Sequence, residues 1–188
     1  MARLGKKPIQ IPDKVNVKVE NNFVTVEGPK GKLTQEIFPN LSVFVEDNKI
    51  YVKNNVDPKK KKLYRKTDAL WGLLRSLIFN MVKGVTEGYE KILEIHGVGY
   101  KGEVKGDKLI LSLGFTHPVE VEIPKDIKVE ISKNTIIFVR GIDKQKVGEF
   151  AAKIRRISPP DVYKGKGIRY RGEYIRQKPT KLGVGAAK

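Results

Sequence analysis

Apolar residues recur at every second position over short stretches of this chain. Val15, Val17 and Val19 alternate with polar neighbours, as do Val24 and Val26, Val43 and Val45, and Ile50 and Val52. Further along, Leu109, Leu111 and Leu113, then Val119, Val121 and Ile123, then Ile127, Val129 and Ile131 do the same. Successive side chains of a strand point to opposite faces. Period two therefore predicts strands with one face buried and one wet, as in antiparallel sheets. Gly28-Pro-Lys-Gly31, Glu46-Asp-Asn-Lys49 and Lys105-Gly-Asp-Lys108 separate the runs and predict turns.

The two groups of strands are copies of one pattern. Shifted by 86 positions, Phe23–Lys53 lies over Leu109–Val139 without a gap, with identities at Gly28/Gly114, Glu36/Glu122, Ile37/Ile123, Val43/Val129, Asn48/Asn134 and Ile50/Ile136. The shared apolar phase carries the argument for duplication more than the identities do. An amphipathic helix is predicted after each group. Leu63, Leu70, Leu73, Leu74, Leu77, Ile78 and Met81 form the first apolar face, and Val147, Phe150, Ala151, Ile154 and Ile157 the second. The expected fold is α+β: two duplicated modules, 1–82 and 83–157, each a small antiparallel sheet packed against one helix, plus a basic C-terminal tail, 158–188. The boundary between modules is expected near Gly84–Gly88. Apolar periodicity ends at Ile157, so both modules are expected to fold without the tail.

Charge changes the picture. Against 21 Asp and Glu stand 38 Lys and Arg, a net of +17. A surface that repels itself so strongly points to a polyanionic partner, nucleic acid or an anionic membrane. No apolar run approaches the roughly 20 residues that span a bilayer, and the start lacks the apolar stretch of a signal peptide. No membrane partner and a cytoplasmic location are therefore expected. With no Cys there is no thiolate metal site and no Cys nucleophile. The excess charge is +8 over residues 1–82, +3 over 83–157 and +6 in the last 31 residues, so the tail is the densest positive stretch.

Few residues suggest chemistry. Gly97-Val-Gly-Tyr-Lys-Gly102 matches a dinucleotide fingerprint, but that motif works only where a helix follows and offers its N–H groups to pyrophosphate. Here a turn and another strand are predicted. His96 and His117, with Glu94 and Glu120 nearby in sequence, fall short of a metal cluster. No phosphate loop or nucleophile–base pattern occurs, so no enzyme activity, cofactor, metal site or small-molecule substrate is expected. A DNA-bending role lacks the apolar wedges it needs. Lys59–Lys62 opposes a helix dipole if it opens the first helix, so a loop or a polyanion contact explains it better.

The strongest candidate follows the second helix, in Pro159-Pro-Asp-Val-Tyr-Lys-Gly-Lys-Gly-Ile-Arg-Tyr-Arg-Gly-Glu-Tyr-Ile-Arg176. The prolines stop the helix. Lys164, Lys166, Arg169, Arg171 and Arg176 then mix with Gly165, Gly167 and Gly172. Glycines let backbone approach phosphate while the cations neutralise it. Tyr163, Tyr170 and Tyr174 are placed to stack on unpaired bases. For Tyr163 the alternative, packing the tail onto the second module, is favoured. Lys153, Arg155 and Arg156 at the end of the second helix complete the RNA-binding candidates.

Tyr163-Lys-Gly-Lys-Gly-Ile-Arg-Tyr170, preceded by Pro159-Pro160-Asp161, resembles the signature of large-subunit ribosomal protein six, bacterial type. Gly5-Lys-Lys-Pro-Ile, Gly28-Pro-Lys-Gly-Lys-Leu, Asn80-Met-Val-Lys-Gly-Val, Gly97-Val-Gly-Tyr, Thr116-His-Pro-Val, Asp143-Lys-Gln-Lys-Val-Gly and Ala151-Ala-Lys-Ile-Arg extend the resemblance along nearly the whole chain. It implies a structural protein of the large ribosomal subunit. Its partners would be the large-subunit rRNA and neighbouring ribosomal proteins. The second module and tail would make the main RNA contacts, near the stalk base and the docking site of translation factors. Ser158, Val162, Trp71 and Lys178–Lys181 depart from the family's usual residues.

Overall fold

The structure, a computed structural model, describes residues 4–179, so the tail's end at 180–188 lies outside the described residues. The chain divides into two compact units that change over between Gly88 and Tyr89, with Ile142–Lys144 assigned to the first. In the first, strands β1 (Ile9–Gln10), β2 (Asn16–Glu20), β3 (Phe23–Gly28), β4 (Gly31–Glu36), β5 (Leu41–Glu46) and β6 (Lys49–Asn54) precede helix α1 (Lys61–Thr86). They form two antiparallel sheets, β2-β3-β4 and β1-β6-β5, and α1 packs against β3, β4 and β6. Val24, Val26, Ile50, Leu74, Ile78 and Val85 are its fully enclosed core.

The second unit holds β7 (Tyr89–His96), β8 (Lys101–Lys105), β9 (Lys108–Ser112), β10 (Val119–Glu122), β11 (Ile127–Ser132), β12 (Ile136–Gly141), helix α2 (Lys144–Ile157) and β13 (Gly167–Tyr170). Its sheets, also antiparallel, run β8-β9-β10 and β11-β12-β7-β13. Leu93, Leu109, Leu111, Ile137, Val139 and Ile154 centre its core.

The duplication is plain in the strand orders, since β2-β3-β4 matches β8-β9-β10 and β1-β6-β5 matches β7-β12-β11. Leu74 and Ile154 are both fully buried on their helices. The ungapped overlay, however, breaks twice. Buried Val24 and Val26 match buried Leu109 and Leu111, not Ile110 and Ser112. The register is regained in the next connection, where Val26 pairs with Leu33 across six residues and Leu111 with Val119 across seven. The second break is the turn after β5 and β11. Glu46 pairs with Lys49 across Asp47 and Asn48, both in the left-handed region with φ 48° and 59°. In the second unit Ser132 pairs with Ile136 across three residues, Lys133 to Thr135. The extra residue means that buried Ile50 and Val52 match Ile137 and Val139 in place of Ile136 and Phe138. A one-residue slip would otherwise turn each side chain to the wrong face.

The first helix buries a face that overlaps the expected one but is turned away from it, with Leu70 packed at its edge. Leu74, Ile78 and Met81 are buried with Thr67, Trp71, Val82 and Val85, while Leu63 and Leu73 stay exposed. Trp71 explains the rotation. Its Nε1–H donates to the Val52 carbonyl at 2.7 Å, and Gly5 lies so close that a Cβ there would be 2.6 Å from the ring. Lys61 and Lys62 open this helix, whose first turn holds no acidic residue, and Gly88 at φ 81° closes the exit beyond Glu87. In the second unit, Gly97–Tyr100 is a turn running into β8, which leaves no helix N-terminus for pyrophosphate.

Residues 158–179 are part of the second unit. β13 is the fourth strand of its larger sheet, pairing Gly167 with His96 and Ile168 with Ile95, and Ile168 is fully buried in the core. The expectation that the modules are complete at Ile157 is corrected accordingly. Ile168 and Tyr170 reach the core at strand spacing, two positions among Gly, Lys and Arg that are too few to give a period to read.

Candidate nucleic-acid interface

Helix α2 turns Val147, Phe150, Ala151 and Ile154 into the core, which leaves Lys153 and Arg156 exposed one turn apart. Arg155 and Arg156 lie in the last turn, where cations complement the helix dipole. After Pro159 and Pro160 the chain makes a short loop and returns. The Ile168 N–H donates to the Ser158 carbonyl at 2.7 Å, which closes the loop at its base. Gly167 has φ 129°, and a Cβ there would lie 2.6 Å from the Pro159 carbonyl oxygen.

The loop is held from inside by Asp161. Its carboxylate accepts the Tyr163 N–H at 3.2 Å and the Lys164 N–H at 3.0 Å. Its backbone N–H donates to the Lys166 carbonyl at 2.8 Å, and its carbonyl accepts the Gly165 N–H at 2.9 Å. The N–H of Lys164, then that of Tyr163, hold the Asp161 carboxyl below the usual carboxylate range. Lys164 and Lys166 are exposed on this frame. The chain then passes back beside the loop, where the Lys178 N–H donates to the Val162 carbonyl at 2.8 Å.

Two carboxylates not singled out as site residues organise the arginines. Glu94 on β7 is the cross-strand partner of Arg169. It accepts the Arg171 Nε–H at 3.2 Å, lies 3.3 Å from His96 Nε2 and is 3.9 Å from Arg169 Nε. The hydrogen bond with His96 first, and that with Arg171 after it, lower its pKa against the opposing cost of burial. Glu173 takes two hydrogen bonds from Arg155, one of them at 3.1 Å, and accepts the Tyr170 N–H at 3.0 Å. Its pKa is lowered, the bond from Arg155 being the largest cause. Glu94, Arg169, Glu173, Tyr174 and Gln177 line an open hollow beside β13.

Arg155, Arg169 and Arg171 thus face carboxylates, whereas Lys153, Arg156, Lys164, Lys166 and Arg176 form no ion pair among the described residues. Tyr163 is 52% exposed and Tyr174 88%, while Tyr170 packs against the core. The favoured packing role for Tyr163 therefore belongs to Tyr170. The sequence marked Glu94 only as a neighbour of His96, because its other partner, Arg171, lies 77 positions away and sheet pairing brings the two together. His117 is exposed, and among the described residues no three His, Asp or Glu side chains converge as metal ligands.

Fold and surface together define a class: a duplicated, basic α+β protein with a braced cationic loop on its second unit. The family model for ribosomal protein L6 matches twice, over residues 11–88 and 96–171, one match for each unit. The chain is 52% identical over 188 residues to the large ribosomal subunit protein uL6 of Caldicellulosiruptor saccharolyticus, covering 100% of both chains. It is 50% identical over 182 residues to that of Thermotoga maritima, 96% of this chain and 99% of the relative. With that of Alkaliphilus oremlandii it shares 50% identity over 184 residues, 97% and 99% of the two chains. This chain belongs to the ribosomal protein L6 family.

Proposed function

We propose that this chain is a structural constituent of the large ribosomal subunit that binds and stabilises the large rRNA and catalyses no reaction. The observation that carries this reading is the Asp161-braced loop. It presents Lys164 and Lys166, with Tyr163 beside them, on a frame already ordered before any partner arrives. Flexible lysines lose entropy on binding, and a fixed backbone reduces that cost. The cations neutralise phosphate and release counterions, and the exposed Tyr163 and Tyr174 rings offer stacking faces to unpaired bases. Lys153, Arg156, Arg169, Arg171 and Arg176 extend the contact, with Gly165 permitting close backbone approach, whereas Gly167, buried against Pro159, shapes the loop from inside. The main RNA side is accordingly the second unit with its C-terminal extension. The family resemblance implies a position near the stalk base and translation-factor docking region, with ribosomal proteins as neighbours and the cytoplasm as location. No helix among the described residues is long and apolar enough to cross a membrane.

A photo-crosslinking residue at Lys164 or Lys166 tests this reading in cells expressing the chain. Cross-links to large-subunit rRNA, sedimenting with the large subunit, are the expected result. Cross-links confined to DNA or to soluble protein overturn it.

A further inference from the structure

Glu173 sits where three pieces of the second unit meet. One carboxylate joins the last turn of α2, through Arg155, to the end of β13, through the Tyr170 N–H. The Glu173 N–H returns to the Tyr170 carbonyl at 3.0 Å, with Gly172 at φ 79° in the reversal between them. Arg155 and Glu173 side chains are only 30% and 24% exposed, and the guanidinium lies 5.8 Å from the centre of the Tyr170 ring. Beyond Glu173 the chain runs back to the cationic loop. Lys178 bonds to Val162, and a Cβ on Gly165 would come within 2.9 Å of the Gln177 amide nitrogen.

A carboxylate is a poor choice for a surface whose only task is to attract phosphate, since it cancels a cation beside it. It is a good choice for fixing geometry. A two-bonded guanidinium–carboxylate pair is directional, and when partly buried it costs much to break from one side. On the reading that this surface binds rRNA, we propose that Arg155 and Glu173 are positioning residues. The pair fixes the path of residues 174–178, which brace the loop bearing Lys164 and Lys166. Arg155 directs its guanidinium to Glu173 and makes no phosphate contact.

The two roles for Arg155 give opposite signs. Glu173→Ala removes a negative charge from an RNA-binding surface and frees Arg155. If Arg155 contacts phosphate, affinity rises. If the pair positions the loop, affinity falls. The probe is the large-subunit rRNA of Caldicellulosiruptor saccharolyticus, transcribed in vitro and titrated with the intact chain, with random duplex DNA as reference. Expected are losses of about tenfold for Arg155→Ala and for Glu173→Ala, the scale of a coupled pair. The double variant Arg155→Ala, Glu173→Ala is expected to bind no more weakly than Glu173→Ala alone, since the two side chains act as one unit. Should Glu173→Ala fail to fold, Glu173→Gln retains the shape and reads the same sign. Unchanged or tighter binding by the Glu173 variants, or a double-variant loss equal to the sum of the two single losses, overturns the proposal. An unaltered chain that prefers the rRNA no more than duplex DNA instead overturns the rRNA reading, and this inference with it.

Discussion

Ile168 is the residue whose surroundings say most about the cationic segment. It is as enclosed as Leu74 and Ile154, all three at 0% exposure. Truncating any of them to Ala is expected to lower stability by about 2–5 kcal/mol, the range for a buried aliphatic that leaves a cavity. Denaturant unfolding of the three variants checks this, and a loss near zero at Ile168 would mean that β13 is not seated in the core. Leu74 and Ile154 were legible in the sequence because each stands within a run of helical period. Ile168 was not, for it stands alone between Gly167 and Arg169 and reads as part of a basic, Gly-rich stretch. Trp71 was hidden for a related reason. Leu residues on neighbouring faces of the first helix supply more apolar positions than the core uses, and one indole hydrogen bond to Val52 decides between them.

At the scale of elements, most strands followed from alternation and turn residues, while the two elements that shape the interface did not. β13 depends on an edge offered by β7, and the braced loop depends on Asp161, which no periodicity marks. Two outcomes follow from that dependence. Removing residues 158–188 is expected to lower the melting temperature of the second unit, because the cut deletes a core strand, whereas removing only 180–188 leaves every described element present. Equal melting of both truncations would contradict the placement of β13. Acid is expected to loosen the same segment. The Glu173 and Asp161 carboxyls are held below their ordinary values of 4.5 and 3.8, so their contributions are complete above those values. They are lost as pH falls through them toward the lower native ones. Amide exchange, corrected for intrinsic rate, should therefore accelerate below about pH 4.5 at Tyr170 and below about pH 3.8 at Lys164, and Glu173→Gln should remove the step at Tyr170. Protection constant down to the pH of global unfolding would contradict it.

Across the whole molecule, a net charge of +17 states that a polyanion is wanted but not where it binds. Many of the cations lie elsewhere on the two units, and several are matched by carboxylates, as Arg140 is by Glu90 and Glu130. The second unit is also nearly balanced over 83–157, so the role in binding proposed for it depends on the segment that adds β13 and the loop. Duplication sharpens the point. Two units share strand order, yet among the described residues only the second has a four-stranded sheet, and the braced loop leads into its fourth strand. The difference between the copies is therefore also the difference in function that the account requires. The salt dependence of binding to large-subunit rRNA measures it directly, comparing the intact chain with its Lys164→Ala, Lys166→Ala double variant. The account predicts weaker binding and a log–log slope shallower by about two units where both lysines meet duplex phosphates, somewhat less on single strands. An unchanged affinity and slope would contradict it and move the contact to other cations of the two units.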